Sequence, residues 1–461
     1  MFINRDSELI ALQSRFGSQT PQLLIVYGRR RVGKTELLRA FMREKPHIYY
    51  MADRRTEREQ LELFSARMAE FFNDPVVKEQ PIQSWDLVFT YISKNLNRRE
   101  KLIIVLDEFP YLAEVNPALP SIIQRHWDER LKKSGIYLIL CGSSMSFMEK
   151  ELLSHKSPLY GRRTGQMEIT PFGIPEIREM FPAVPPQRLV ELYSVFGGIP
   201  AYLGFYNARE NLWTNIAEQI FPADTFLYNE VHFLLMEEMR TPHNYFAILK
   251  AIAYGDTKVN EIVQRTGLER GVVGKYLDHL IDLRIIERMI PVTDNPVKSR
   301  RGLYRFRDNY FRFWFKYIYP NKTYLEEGRT SLVMSAIKKD FPAFVGPVFE
   351  DIARAYIRRQ GIMGSAVKKA GSWWEKNIEI DIAAFDEKDR MIIGECKWSN
   401  KKVGVDIYRN LRLKQKHLTG YAREFRYVLF SKSGFTDDMK KLARDDGVVL
   451  YSLDDILSEG N

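Results

Sequence analysis

Cysteine is almost missing from this chain. Cys141 and Cys396 are the only two in 461 residues, far apart and each inside an apolar, strand-like run. That excludes a disulfide framework and a thiolate metal centre, and it suits a reducing compartment. Also missing is any run of about eighteen apolar residues, so no membrane-spanning helix is expected. The segment Met1-Phe2-Ile3-Asn4-Arg5-Asp6 lacks the apolar core of a signal peptide, and a soluble cytoplasmic protein with no membrane partner is the expectation. Acidic residues are outnumbered, 59 Asp+Glu against 69 Lys+Arg, for a net charge of +10. Such a balance favours polyanionic partners through counterion release, although basic faces are more often only solvated. With 45% hydrophobic and 28% charged residues the composition is that of globular protein, and 461 residues exceed one core.

What is present begins with Leu23 to Val26, a short buried strand that feeds Gly28-Arg29-Arg30-Arg31-Val32-Gly33-Lys34-Thr35 and then a helix opened by Glu36. This is the spacing of a phosphate-binding P-loop. The two glycines allow a tight wrap whose amides, with the helix N-terminus, face an anion. Lys34 is expected to reach the β- and γ-phosphates of ATP, and Thr35 to hold Mg²⁺. Asn4 to Leu9 opens an amphipathic helix, and Thr56 to Phe72 reads as a covering helix. Leu102 to Leu106 is a strand apolar on both faces, ended by Asp107 and Glu108 where open α/β sheets bind ligands. Asp107 is placed for the Mg²⁺ shell and Glu108 for the attacking water, so hydrolysis is expected as well as binding. Ile136 to Gly142 is a further strand, followed by Ser143 and Ser144, which either sense the γ-phosphate or cap the next helix. Arg162 and Arg163 lie in a glycine-bounded loop, either as phosphate-sensing or finger arginines or as a solvated basic turn.

Together, Tyr27 to Thr35, Leu106 to Leu112, Cys141 to Ser144 and Pro158 to Arg162 resemble an archaeal and bacterial ATPase family related to the STAND and AAA+ P-loop ATPases. Within it the chain is most similar to members with a C-terminal domain of the DUF234 type. The resemblance implies a core with an additional strand and a conserved glutamate, a helical lid, and a winged helix behind it. It permits a homo-oligomer without fixing its size.

The lid falls at 175–240, broken at Phe196-Gly197-Gly198-Ile199-Pro200. Helices at Tyr245 to Ala253, Lys258 to Thr266 and Val272 to Leu283, then strands near Arg284 to Val292 and Gly302 to Phe306, read as a winged helix-turn-helix with Lys298, Arg300 and Arg301 at the wing tip. Either Arg270, Lys275 and the wing grip DNA, or the module packs against protein; Asp278 and Asp282 weaken groove reading. Arg307 to Phe315 interleaves basic and aromatic residues, as a stacking platform or as a core helix with Phe311, Trp314, Phe315 and Ile318 on one face.

A new domain starts near Ser331, with a helix opened at Gly346-Pro347. Alternation in Ile378 to Phe385 and Met391 to Trp398 puts Glu395 and Lys397 on one strand face, with Asp381 on the neighbouring strand. This is the Asp…Glu-x-Lys constellation and resembles the PD-(D/E)xK nuclease fold, with Glu350 as the extra acid. Asp381 and Glu395 offer hard oxygens to Mg²⁺ or Mn²⁺, and Lys397 positions or activates water. The alternative is a salt-bridged relic in which Lys397 neutralises both acids. Arg409, Arg412, Lys414, Gln415 and Lys416 form a basic helix for a phosphate backbone, and Ser431 to Asp446 a closing strand and helix.

The expected architecture is α/β: a P-loop parallel-sheet core at 1–174, a helical lid at 175–240, a winged helix-turn-helix at 241–308, a linker helix at 309–330, and a restriction-endonuclease-like domain at 331–461. The expected activity is ATP hydrolysis coupled to Mg²⁺-dependent processing of DNA. The alternative is a nucleotide-dependent switch that binds DNA or a protein without cutting.

Overall fold

The computed structural model describes residues 3–18, 20–96, 101–239, 241–362 and 364–457, in two compact units, Met1–Pro171 and Phe172–Asn461. In the first unit, strands β1 (Gln22–Tyr27), β2 (His47–Met51), β3 (Leu102–Asp107), β4 (Ile136–Gly142) and β5 (Gly165–Glu168) pair in parallel in the order β2-β3-β4-β1-β5. Every residue of β1, β3 and β4 is buried, as near-continuous Val/Ile/Leu runs require when helices cover both faces of a sheet. β4 lies between β1 and β3, which is the additional strand that the family resemblance implies. Because the strands are parallel, the segments that follow β1, β3 and β4 emerge at one edge of the sheet. The covering helix Glu57–Phe72 is fixed by a capping box, in which Thr56 Oγ1 accepts from the Glu59 amide and Glu59 accepts from the Thr56 amide.

The second unit begins with helices, among them Pro186–Phe196 and Phe226–Glu238, on either side of the glycine-proline break. Helices Pro242–Ala253, Val259–Thr266 and Arg270–Asp282 follow, then an antiparallel hairpin of β6 (Ile286–Met289) and β7 (Leu303–Phe306). Tyr310, Phe311, Phe313, Trp314, Phe315 and Ile318 are all buried, so this aromatic stretch fills a core and presents no stacking platform.

The helix expected to open at Gly346 starts much earlier and runs unbroken from Thr330 to Gln360, with Pro342 and Pro347 inside it. Each proline removes one hydrogen bond, yet Val333, Ile337, Phe341, Phe344, Val348, Phe349 and Ile352 form a continuous buried stripe. Burial of that stripe outweighs the local breaks. The C-terminal sheet has the order β12-β11-β10-β9-β8, from β8 (Val367–Glu375), β9 (Ile378–Asp386), β10 (Met391–Lys397), β11 (Phe425–Ser431) and β12 (Val449–Ser452). β8, β9 and β10 run antiparallel, and β11 and β12 continue parallel to β10. β12 was not foreseen from sequence, being four residues long and half-buried throughout.

Candidate active sites

The P-loop is shaped by backbone positions that side chains tolerate poorly. Gly28 (φ 158°) packs so closely that a Cβ would collide with the Ile169 carbonyl oxygen, while Arg31 (φ 66°) and Gly33 (φ 92°) are left-handed. Lys34 is buried, and its ammonium donates to the carbonyls of Gly28 (2.8 Å) and Arg29 (3.1 Å). Burial holds its pKa below the ordinary lysine value, against the pull of Glu108 and Asp107. Thr35 Oγ1 donates to Asp107 Oδ2 at 2.9 Å, so the P-loop helix and the end of β3 meet side chain to side chain. Glu108 sits at a left-handed φ of 51°, an uncommon conformation for a side-chain-bearing residue, and Ser143 Oγ donates to its carboxylate at 2.9 Å. Ser144 makes no capping bond from its side chain. The structure thus brings Lys34, Thr35, Asp107, Glu108 and Ser143 into one cluster at the sheet edge.

The C-terminal cluster is built on β9 and β10. Asp381 Oδ2 accepts from the Cys396 amide at 2.9 Å. Lys397 Nζ lies 2.7 Å from Glu395 Oε2 and 3.7 Å from Asp381 Oδ2. Glu350 enters from the long helix, with Arg354 one turn on, 3.5 Å away, donating also to the Asp381 carbonyl at 2.5 Å. Burial, and then the neighbouring Asp381, push the Glu350 carboxyl up to about 8. Burial and Glu395 raise Asp381 to about 6, against the opposing Lys397. Lys397 is itself raised, because Asp381 and Glu395 outweigh the effect of its burial. Among the described residues, no three His, Cys, Asp or Glu side chains are already converged as a metal-holding group.

Residues 2–205 match the model of an ATPase domain found predominantly in Archaea, and residues 314–408 match that of a domain of archaeal and bacterial proteins of unknown function, DUF234. An uncharacterised protein of Methanocaldococcus jannaschii is 35% identical over 423 residues, 90% of this chain and 92% of its own length. The chain belongs to this family of DUF234-bearing ATPases. An uncharacterised ATP-binding protein of the same organism is 47% identical over 45 residues, 10% of this chain and 76% of that protein. The Walker-type ATPase of Pyrococcus abyssi shares the fold at 21% identity and a TM-score of 0.51, over 68% of this chain and 96% of its own. Among the described residues, no helix of this ATPase is long and apolar enough to cross a membrane.

Other residues of the ATPase fall differently from their sequence reading. Arg162 is engaged by Asp128, through Nε at 3.2 Å and Nη2 at 3.1 Å, and Arg163 donates to the Leu152 and Leu153 carbonyls. Arg301, expected at the wing tip, is engaged by the protein itself. It chelates Asp294 and donates to the Trp374 carbonyl of β8 at 3.0 Å, while the Val292 amide donates to the Ser372 carbonyl at 2.9 Å. Val292 belongs to the core of the C-terminal sheet, so the hairpin connection is seated on β8, with Lys298 and Arg300 left exposed. Lys414 also turns away from the basic helix face. It donates to Glu395 Oε1 at 2.6 Å, whereas Arg409, Arg412 and Lys416 are exposed.

Three residues went unread in the sequence. Tyr49 donates to Asp107 Oδ2 at 2.8 Å from β2, and its position in a short strand gave no signal. Arg5 joins the first helix to the P-loop through the Val32 carbonyl at 3.1 Å. Arg354 was findable, because it stands three and four residues after Asp351 and Glu350, the spacing of helical ion pairs.

Proposed function

We propose that this ATPase hydrolyses ATP at Gly28 to Glu36 and uses its nucleotide state to control Mg²⁺-dependent cleavage of DNA at Asp381, Glu395 and Lys397. In the N-terminal unit the reading is supported by the bonded set Lys34, Thr35, Asp107, Glu108 and Ser143. Lys34 exchanges two carbonyl acceptors for the β- and γ-phosphates, and the amides of Arg29 to Thr35 close around them. Thr35 and, at the ion's hydration shell, Asp107 are the residues that would hold Mg²⁺, which would offset charge on the phosphates. Glu108 orients the water that attacks the γ-phosphorus, the bond to the β–γ bridging oxygen breaks, and ADP leaves. Ser143 holds Glu108 meanwhile, and Arg162 stays a candidate sensor on its Asp128 anchor.

The observation that carries the second half is Lys397 standing between Asp381 and Glu395. Glu395 is buried and Asp381 partly so on neighbouring strands, with Glu350 beside them, an arrangement that is costly without a cation; the raised pKa values of Glu350 and Asp381 express that cost. Hard carboxylate oxygens suit Mg²⁺, so Asp381, Glu395 and Glu350 are the residues that would hold it. The ion would acidify a bound water and offset charge on the scissile phosphate. Lys397 steadies that phosphate or its attacking water. The net charge of +10 supports DNA as the polyanion.

A second reading, a switch that binds DNA or a protein without cutting, is favoured by one observation: ammonium groups already occupy both oxygens of Glu395. Incubation of the full chain with linear, single-stranded, flapped and four-way DNA, with Mg²⁺ and with or without ATP, separates the two. Cleavage that disappears in Asp381→Ala is the expected result. Intact DNA in every case, together with DNA-stimulated ATP hydrolysis, would leave the switch.

A further inference from the structure

Glu395 is held from two directions. Its carboxylate is buried on β10, and each oxygen meets a different ammonium. Oε2 accepts from Lys397, two residues on along the same strand face, at 2.7 Å; Oε1 accepts from Lys414, in the last turn of the helix Val405–Gln415, at 2.6 Å. An Asp…Glu-x-Lys pattern needs only the first of these. The two lysines differ in their second contacts. Lys397 leans toward Asp381 Oδ2 at 3.7 Å. Lys414 donates to the main-chain carbonyl of Glu379 on β9 at 2.7 Å, an acceptor fixed by the backbone.

That difference decides which ammonium stays when a divalent cation arrives. Lys397 is bound only to the two carboxylates the cation would take. Lys414 keeps its β9 carbonyl and the other oxygen of Glu395. We propose that the two lysines divide the work of this site: Lys414 is a positioning residue that aims Glu395 by holding one oxygen, and Lys397 yields its carboxylates and turns to the phosphate. The inference rests on the metal-dependent reading above. Groups that orient a ligand by hydrogen bonding are worth about 10–100-fold in metal affinity. Lys397 carries like charge to the incoming ion between the same two acids, so its loss removes a competitor.

The test is calorimetric titration of Mn²⁺ into the full chain without nucleotide, comparing the parent with Lys414→Met, Lys414→Arg, Lys397→Met and Asp381→Ala. Heat lost in Asp381→Ala defines the site. Lys414→Met is expected to bind about 10-fold more weakly or worse, Lys414→Arg to recover most of that loss, and Lys397→Met to bind at least as tightly as the parent. If circular dichroism shows Lys414→Met unfolded, Lys414→Gln takes its place with the same expectation. Parent-like or tighter binding in the Lys414 variants would reduce that residue to a counter-ion, and weaker binding in Lys397→Met would overturn the division of roles. Titrations identical in the parent and Asp381→Ala would overturn the metal reading itself, a pattern that no Lys414 variant can imitate.

Discussion

Lys34 is buried at the start of the helix that follows the glycine loop. Its ammonium rests on two loop carbonyls, and in the proposed ATP site phosphate oxygens would replace them with better acceptors. Lys34→Ala is therefore expected to lose ATP binding, read by fluorescence of a labelled nucleotide; unchanged affinity would remove the loop from the mechanism. Glu108→Gln keeps the size and the Ser143 contact but not the charge, so ATP should still bind while turnover falls by about 10²-fold or more. Gly28→Ala drives a methyl into the Ile169 carbonyl. It should cost on the order of 1–3 kcal/mol in a denaturant melt and weaken ATP binding as well, because relief of the clash displaces the loop. These positions were legible because the loop is contiguous and its spacing is its chemistry. Tyr49 was not, since its partner Asp107 lies 58 residues away and only strand pairing brings them together.

At the scale of elements, the hairpin connection is the instructive piece. Hairpin and helices follow the expected order, but Arg301 spends its charge on Asp294 and the Trp374 carbonyl, which seats the connection on β8. Burial raises the Asp294 carboxyl, but the bonds from Arg301 and Ser299 outweigh it and hold the group below its usual range. Its ionised form is thus favoured by folding. That contribution is fully present above the unfolded value, near pH 4, and is lost as pH falls through the lower folded value. Asp294→Asn should destabilise the chain by about 1–3 kcal/mol at neutral pH and flatten this part of its acid unfolding. Equal acid sensitivity in parent and variant would separate Asp294 from the seat. A similar contest settles the helix Thr330–Gln360, where two local breaks lose to one long buried stripe.

For the whole molecule, the proposed coupling predicts a separation of effects. Lys34→Ala should leave Mn²⁺ affinity at Asp381 and Glu395 as in the parent, yet abolish any change that ATP makes to DNA cleavage. Cleavage by Lys34→Ala that still responds to ATP would place the control outside the P-loop. Family and sheet class were determined by sequence alone, because each rests on short-range order: a loop of fixed spacing, and strands that alternate or run apolar; the acids of the proposed sites were picked out by the same strand pattern. Tertiary structure alone decided which cation reaches an acid from a distant part of the chain. Lys414 reaches Glu395 from another element, Arg301 turns inward to Asp294, and Arg162 pairs with Asp128. A long basic side chain reads the same in sequence whether it faces water or a buried carboxylate. Only packing, which fixes what lies within about 3 Å of its charged end, makes the choice.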